Sequence, residues 1–146
     1  MRFGLKQAYR QVVDGRTEKI ACKIIDKGRA SGDFVSKFLP RELAIVRGLR
    51  HPNIVGILDV LCTKRYVYMF MDLYEGGDLL GYILGNGSLP EHTKCRHYFR
   101  QIASAVEHLH SLDNAHRDLK RENVLFTDKH CVKIAGPILL DCTCRT

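Results

Sequence analysis

The sequence holds no run of apolar residues approaching the length of a bilayer span, so no membrane-crossing helix and no membrane partner are expected. Its first residues, Met1-Arg2-Phe3-Gly4-Leu5-Lys6, lack the apolar core and small-residue cleavage site of a secretory signal, and the chain is expected to be soluble and cytoplasmic. Cysteine pairs at zinc-finger spacing are also missing. The six cysteines, at 22, 62, 95, 131, 142 and 144, are scattered, and the one close pair, Cys142-Thr143-Cys144, has no matching His or Cys pair. Reduced thiols follow, at least three of them lying in apolar periodic segments as small buried residues would. Acidic residues are outnumbered, 16 against 23 basic ones, and the net charge of +7 suits a phosphate-bearing partner. The cations are spread along the chain with no aromatic-interleaved cluster, which implies a solvated basic surface and no nucleic-acid partner. There is no internal repeat and no low-complexity segment. What remains is one ordinary domain's worth of chain, 146 residues at 45% hydrophobic content.

Residues 8 to 13 and 19 to 25 are short apolar runs around the turn composition Asp14-Gly15-Arg16-Thr17, and an antiparallel hairpin is expected. In its second strand, alternation puts Ala21 and Lys23 on one face and Cys22 and Ile24 on the other. A lysine beside an alanine on a half-buried face needs an anion. From Asp33 the pattern turns helical, and Pro40 opens a fresh helix running to Leu49, with Gly48 fraying its end and Glu42 on the same face as Val46. His51-Pro52-Asn53 breaks it. Ile54 to Leu61 and Tyr66 to Leu73 then read as two strands joined by Thr63-Lys64-Arg65, which makes a small sheet with one helix on it.

Glu75-Gly76-Gly77-Asp78 has a hinge composition, and Leu79 to Leu84 a short helix closed by Gly85-Asn86-Gly87. Ser88-Leu89-Pro90-Glu91 fits a capping box, and Cys95, Tyr98, Phe99, Ile102, Val106 and Leu109 recur at helical spacing up to Leu112, the longest helix of the chain. It leads into Asn114-Ala115-His116-Arg117-Asp118-Leu119-Lys120-Arg121-Glu122-Asn123, which places an acid, bases and an amide between two apolar runs. A last hairpin is expected from Val124-Leu125-Phe126, a turn over 127 to 130, and Val132-Lys133-Ile134.

The stretch from His116 to Asn123 matches the protein-kinase signature His-Arg-Asp-Leu-x-x-x-Asn along its whole length. Ile20-Ala21-Cys22-Lys23 looks like the Val-Ala-Ile-Lys strand, and Glu42 lies 19 residues later, where the family's helix-C glutamate belongs. On these motifs the chain resembles the eukaryotic protein kinases over residues 8 to 135. Phe34 to Glu42, Gly77-Asp78-Leu79-Leu80 and Phe99 to Val106 look most like the testis-specific serine/threonine kinases of the calmodulin-kinase group. The resemblance implies an α+β, incomplete bilobal kinase fold. Residues 1–135 would form a partial kinase domain, with a small antiparallel-sheet N-lobe and its helix C over about 1–72, the start of a helical C-lobe over about 77–135, and an unrelated tail over 136–146.

It also implies Mg-ATP as cofactor and a protein Ser/Thr hydroxyl as substrate. Lys23, oriented by Glu42, would hold the α and β phosphates. Ala21 and Leu125 would cover the adenine, Met71 would be the gatekeeper, Asp72-Leu73 would lie in the hinge, and Asp78 would hold the ribose. From the residues alone, Met71 is equally a core methionine and Asp78 a helix N-cap. Asp118 would orient the hydroxyl and accept its proton, Lys120 would neutralise the transferred phosphoryl and mark a serine/threonine enzyme, and Asn123 would ligate Mg2+. His116 would be a packed structural histidine.

The pattern departs from the family at both ends. Only Phe3-Gly4 stands as a remnant of the Gly-x-Gly-x-x-Gly loop, and Gly136-Pro137-Ile138 stands where Asp-Phe-Gly should begin, 18 residues after Asp118. Losing that carboxylate leaves Mg2+ to Asn123 and ATP, at a cost of roughly a thousandfold or more in rate. The alternative is therefore an inactive, truncated kinase acting by binding, as a decoy or a chaperone client.

Overall fold

In the computed structural model, which describes residues 4–87, 93–127 and 131–136, the period-2 segments of the first third become a four-stranded antiparallel sheet. Strand β1 (Gly4–Gln11) pairs with β2 (Thr17–Asp26) in a register that sets Gln7 opposite Ala21. The connecting turn closes through Val12 N donating to Arg16 O at 2.9 Å, and its Gly15 adopts φ 80°, a conformation that favours glycine. β3 (Ile57–Cys62) and β4 (Tyr66–Asp72) complete the order β1-β2-β4-β3, so β2 and β4 are interior.

A helix covers this sheet. α1 (Leu39–Gly48) carries Pro40 in its first turn, where the missing N–H removes no helical bond. The helix does not start fresh at Pro40, however. Helical backbone precedes it through a π-turn at Phe34–Phe38, with Leu39 N donating to Phe34 O five residues back. Leu39, Val46 and Leu49 are buried in this unit along with Ile20, Ala21, Cys22 and Ile25 of β2, Val60 of β3, and Val67 and Met69 of β4. Together, residues 1–49 and 56–73 form one compact unit.

Residues 50–55 and 74 onward form the second unit. The expected strand from Ile54 is corrected here: β3 begins at Ile57 with a bulge before Asp59, and Ile54 instead bridges in parallel to Ile134. That exchange is anchored by side chains. Asn53 Nδ2 donates to Gln101 Oε1 at 2.8 Å and to Val132 O at 2.9 Å, while Gln101 Oε1 also accepts from Val132 N at 2.8 Å. His51 stacks on His108 with ring centroids 5.0 Å apart. Burial first, then the positive neighbours His108 and Lys133, hold the His51 imidazole below its usual range.

α2 (Leu79–Asn86) is capped by the Asp78 carboxylate, which accepts from Gly81 N at 2.7 Å, and ends at Gly87 with φ 80°. The capping box at 88–91 lies outside the described residues. α3 (Lys94–Ser111) buries Tyr98, Ala105 and Leu109, spaced i, i+7 and i+11. Two members of the expected apolar stripe depart from it: Phe99 is 68% exposed, because one residue's step turns its side chain about 100° away from the Tyr98 line, and Cys95 is exposed as well. β5 (Val124–Phe126) and β6 (Val132–Ile134) pair as the expected hairpin.

The expectation of three or more buried thiols is also corrected. Among the described residues Cys22 alone is buried, within β2, whereas Cys62 ends the sheet-edge strand β3, Cys95 lies on the open side of α3, and Cys131 precedes β6; all four are free. Among the described residues no helix is long and apolar enough to cross a membrane.

Candidate active site

The first unit assembles its polar pair across the sheet–helix packing. Strand alternation places Ala21, which is buried, opposite Met71, and Lys23 opposite Met69 in β4. Glu42 sits one turn before the buried Val46 and is half-buried. Burial pushes the Glu42 carboxyl up from its ordinary value, and the charge of Lys23 pulls it back down without cancelling the rise. The two side chains predicted to act together therefore do feel one another. Met71 and Leu73 are half-buried and Asp72 is exposed at the end of β4.

A sign follows for Glu42. Its folded-state pKa is raised, so its contribution to stability is present below the ordinary glutamate range and lost as pH rises through the raised value. Glu42→Gln removes the ionisation that burial penalises, and is expected to raise the unfolding midpoint slightly at neutral pH, a gain that vanishes once the pH falls below the glutamate range. Denaturant titrations at the two pH values check it; a Glu42→Gln variant less stable at neutral pH would mean that attraction to Lys23 outweighs burial.

The second unit carries the loop. α3 ends with Leu109 O accepting from the backbone N–H groups of Leu112 and Asn114, after which Asp113 (φ 56°) and Arg117 (φ 57°) adopt left-handed backbone. Such conformations cost non-glycine residues of order 1–3 kcal/mol each and persist only where surrounding bonds over-determine them. Those bonds are present. Asp118 N donates to His116 O at 2.8 Å, a 3-10 turn spans Arg121–Asn123, and Asn123 Nδ2 donates both to Asp118 O at 2.6 Å and to Asp118 Oδ2 at 3.0 Å. Both partners are acceptors, which settles the orientation of the Asn123 amide.

Lys120 Nζ reaches the same carboxylate oxygen, 3.0 Å from Asp118 Oδ2. The Lys120 hydrogen bond, against the opposing effect of desolvation and with help from the Asn123 hydrogen bond, holds the Asp118 carboxyl below its usual range. Asp118, Lys120 and Asn123 thus form one constellation. Buried His116 donates from Nε2 to Ala135 O at 3.1 Å, and Ala135 N donates to Asn123 O at 2.7 Å, tying the loop to the exit of β6. The next residue, Gly136, has φ 130°, and a Cβ there would stand 3.1 Å from Asn123 Nδ2 and 3.2 Å from His116 Cε1. Asp78, besides capping α2, forms a β-bridge with half-buried Leu125.

The donor set fits a divalent metal poorly. Among the described residues no three His, Cys, Asp or Glu side chains stand close enough to hold one. With its amide nitrogen on Asp118, Asn123 offers a metal a single side-chain oxygen.

Gln101 and Asn53 were not among the expected site residues, yet they hold β6, and through Ala135 the loop. A signal existed: Gln101 falls three residues after Tyr98 and four before Ala105, a polar side chain on the buried line of α3.

A protein kinase domain family model matches residues 5–136. The human hormonally up-regulated neu tumor-associated kinase is 44% identical over 126 residues, covering 86% of this chain and 18% of that protein. The mouse testis-specific serine/threonine-protein kinase 3 is 44% identical over 108 residues, 73% of this chain and 40% of that one. Among solved structures, Rad53 1-466 in complex with AMP-PNP matches with a TM-score of 0.72 at 34% identity, over 90% of this chain and 33% of that one. The chain spans about a fifth of the length of the first curated relatives it matches.

Proposed function

Since the chain belongs to the protein kinase family, we propose that it binds ATP and carries a serine/threonine-type catalytic loop whose phosphoryl transfer to protein Ser/Thr hydroxyls is slow. The observation that carries this reading is the single constellation of Asp118, Lys120 and Asn123. A Rad53 structure of the same fold holding AMP-PNP supports the nucleotide.

In this assignment Lys23, oriented by Glu42, takes the α and β phosphates. Ala21, Met71 and Leu125 surround the adenine, the backbone of Asp72 and Leu73 meets its edge, and Asp78 takes the ribose. Asp118, which accepts from Lys120 and Asn123, orients the acceptor hydroxyl and receives its proton. Lys120, half exposed, can leave Asp118 for the transferred phosphoryl. Mg2+ accompanies ATP in kinases of this family, where it offsets phosphate charge, but side-chain oxygens that could hold it are scarce among the described residues. Transfer is slow because position 136 supplies no carboxylate.

Gly136 also favours a second reading, a chain that acts by binding alone, holding the substrates or chaperone of an active kinase. Radiolabelled phosphate transfer to a generic serine/threonine substrate separates the two. The wild-type chain is expected to exceed a Lys23→Met control by a small but measurable margin. Equality with that control would remove the enzymatic reading and leave the binding one.

A further inference from the structure

We propose that this chain takes its nucleoside triphosphate as the metal-free anion, with the Lys120 ammonium standing where a divalent cation would otherwise be held. The proposal rests on the nucleotide-binding reading above and concerns the second unit's loop alone.

A hard divalent cation needs several oxygen ligands, normally with at least one carboxylate among them. The carboxylate that Asn123 is bonded to is that of Asp118, and its Oδ2 already receives Lys120 Nζ at 3.0 Å and Asn123 Nδ2 at 3.0 Å. A cation approaching that oxygen meets an ammonium and an N–H dipole, both repulsive to it. Asn123 cannot turn its amide oxygen toward Asp118 without breaking two bonds, one of them the 2.6 Å contact to Asp118 O. Gly136 adds no side-chain ligand, and a Cβ there would press on Asn123 Nδ2, Asn123 Cγ and His116 Cε1 at 3.1–3.3 Å, so a side chain enters only if they shift.

The positive charge that a polyphosphate requires is nonetheless present. Lys120 is 49% exposed and its four-carbon stem allows the ammonium to bridge Asp118 and a phosphate oxygen together, which a point charge on a flexible stem does readily.

The test is calorimetric titration of the full chain with ATP, once in excess EDTA and once in excess Mg2+, repeated on Lys120→Met. The expected result is a dissociation constant in EDTA within about threefold of that in Mg2+, and a loss of about tenfold or more in EDTA on Lys120→Met. Binding tightened by Mg2+ beyond that threefold margin overturns the proposal while leaving nucleotide binding intact. A smaller effect of Lys120→Met in EDTA overturns Lys120 as the substitute cation. Absence of binding in both conditions removes the nucleotide reading itself, and the proposal with it. As a check without nucleotide, manganese electron paramagnetic resonance is expected to show no protein-bound Mn2+, and a bound signal abolished by Asn123→Ala would overturn it.

Discussion

Leu109→Ala is expected to lower the stability of the second unit by about 2–5 kcal/mol, the cost of a cavity in a packed core. Leu109 is 0% exposed, on the innermost line of α3 with Tyr98 and Ala105. Set against a total of about 5–15 kcal/mol for an ordinary domain, that loss is a large share of what holds the unit folded. The damage reaches the loop as well, because Leu109 O accepts from Asn114 N and Leu112 N and so sets the backbone's departure toward His116. Urea denaturation measures the first effect, and amide hydrogen exchange over 113–123 the second; faster exchange there is expected. Phe99→Ala supplies the contrast. With its ring 68% exposed, its effect should fall within about 0.5 kcal/mol of zero. A Leu109→Ala shift as small as that of Phe99→Ala would mean that α3 does not pack along the Tyr98–Leu109 line.

Such contrasts mark where the sequence is legible and where it is not. A strand's period of two leaves little freedom, so the shared face of Ala21 and Lys23 could be read directly, and their register against Met71 and Met69 agrees with it. The loop was equally plain, since Asp118, Lys120 and Asn123 are close in sequence and a single turn must bring them together. A helical stripe is less definite. Apolar residues on either side of the buried line satisfy the same periodicity, so the pattern includes Phe99 although it is exposed. Ala105 is too small to signal burial in the sequence, although it is fully enclosed. Ile54 reads as the start of the strand to Leu61 yet meets Ile134, because a β-branched residue shows that a strand is favoured, not which strand it meets; the Asn53–Gln101 and Asn53–Val132 bonds decide that from 48 and 79 residues away. The same distance hides the loop's supports. Nothing local to His116 announces Ala135 as its acceptor.

Gly136→Asp, which supplies the carboxylate found at the family's Asp-Phe-Gly position, is expected to destabilise the chain without restoring phosphoryl transfer. The backbone at 136 has φ 130°, where any side chain is strained, at about 1–3 kcal/mol. A Cβ would also press on Asn123 Nδ2 at 3.1 Å and His116 Cε1 at 3.2 Å. Neither neighbour yields freely: Asn123 is held by two bonds to Asp118, and His116 is buried and bonded to Ala135 O. If Asn123 gives way, the amide that orients Asp118 is lost; if the backbone gives way, the Ala135–Asn123 bond of 2.7 Å goes with it. The new carboxylate therefore arrives by dismantling the constellation it would have to serve. Gly136→Ala isolates the strain from the charge and is expected to lose nearly the same stability. Denaturant midpoints and radiolabelled transfer, measured on both variants, decide the matter. A Gly136→Asp chain as stable as wild type, with transfer raised well above it in Mg2+, would show that the missing carboxylate is the loop's sole defect and that its surroundings relax to admit it.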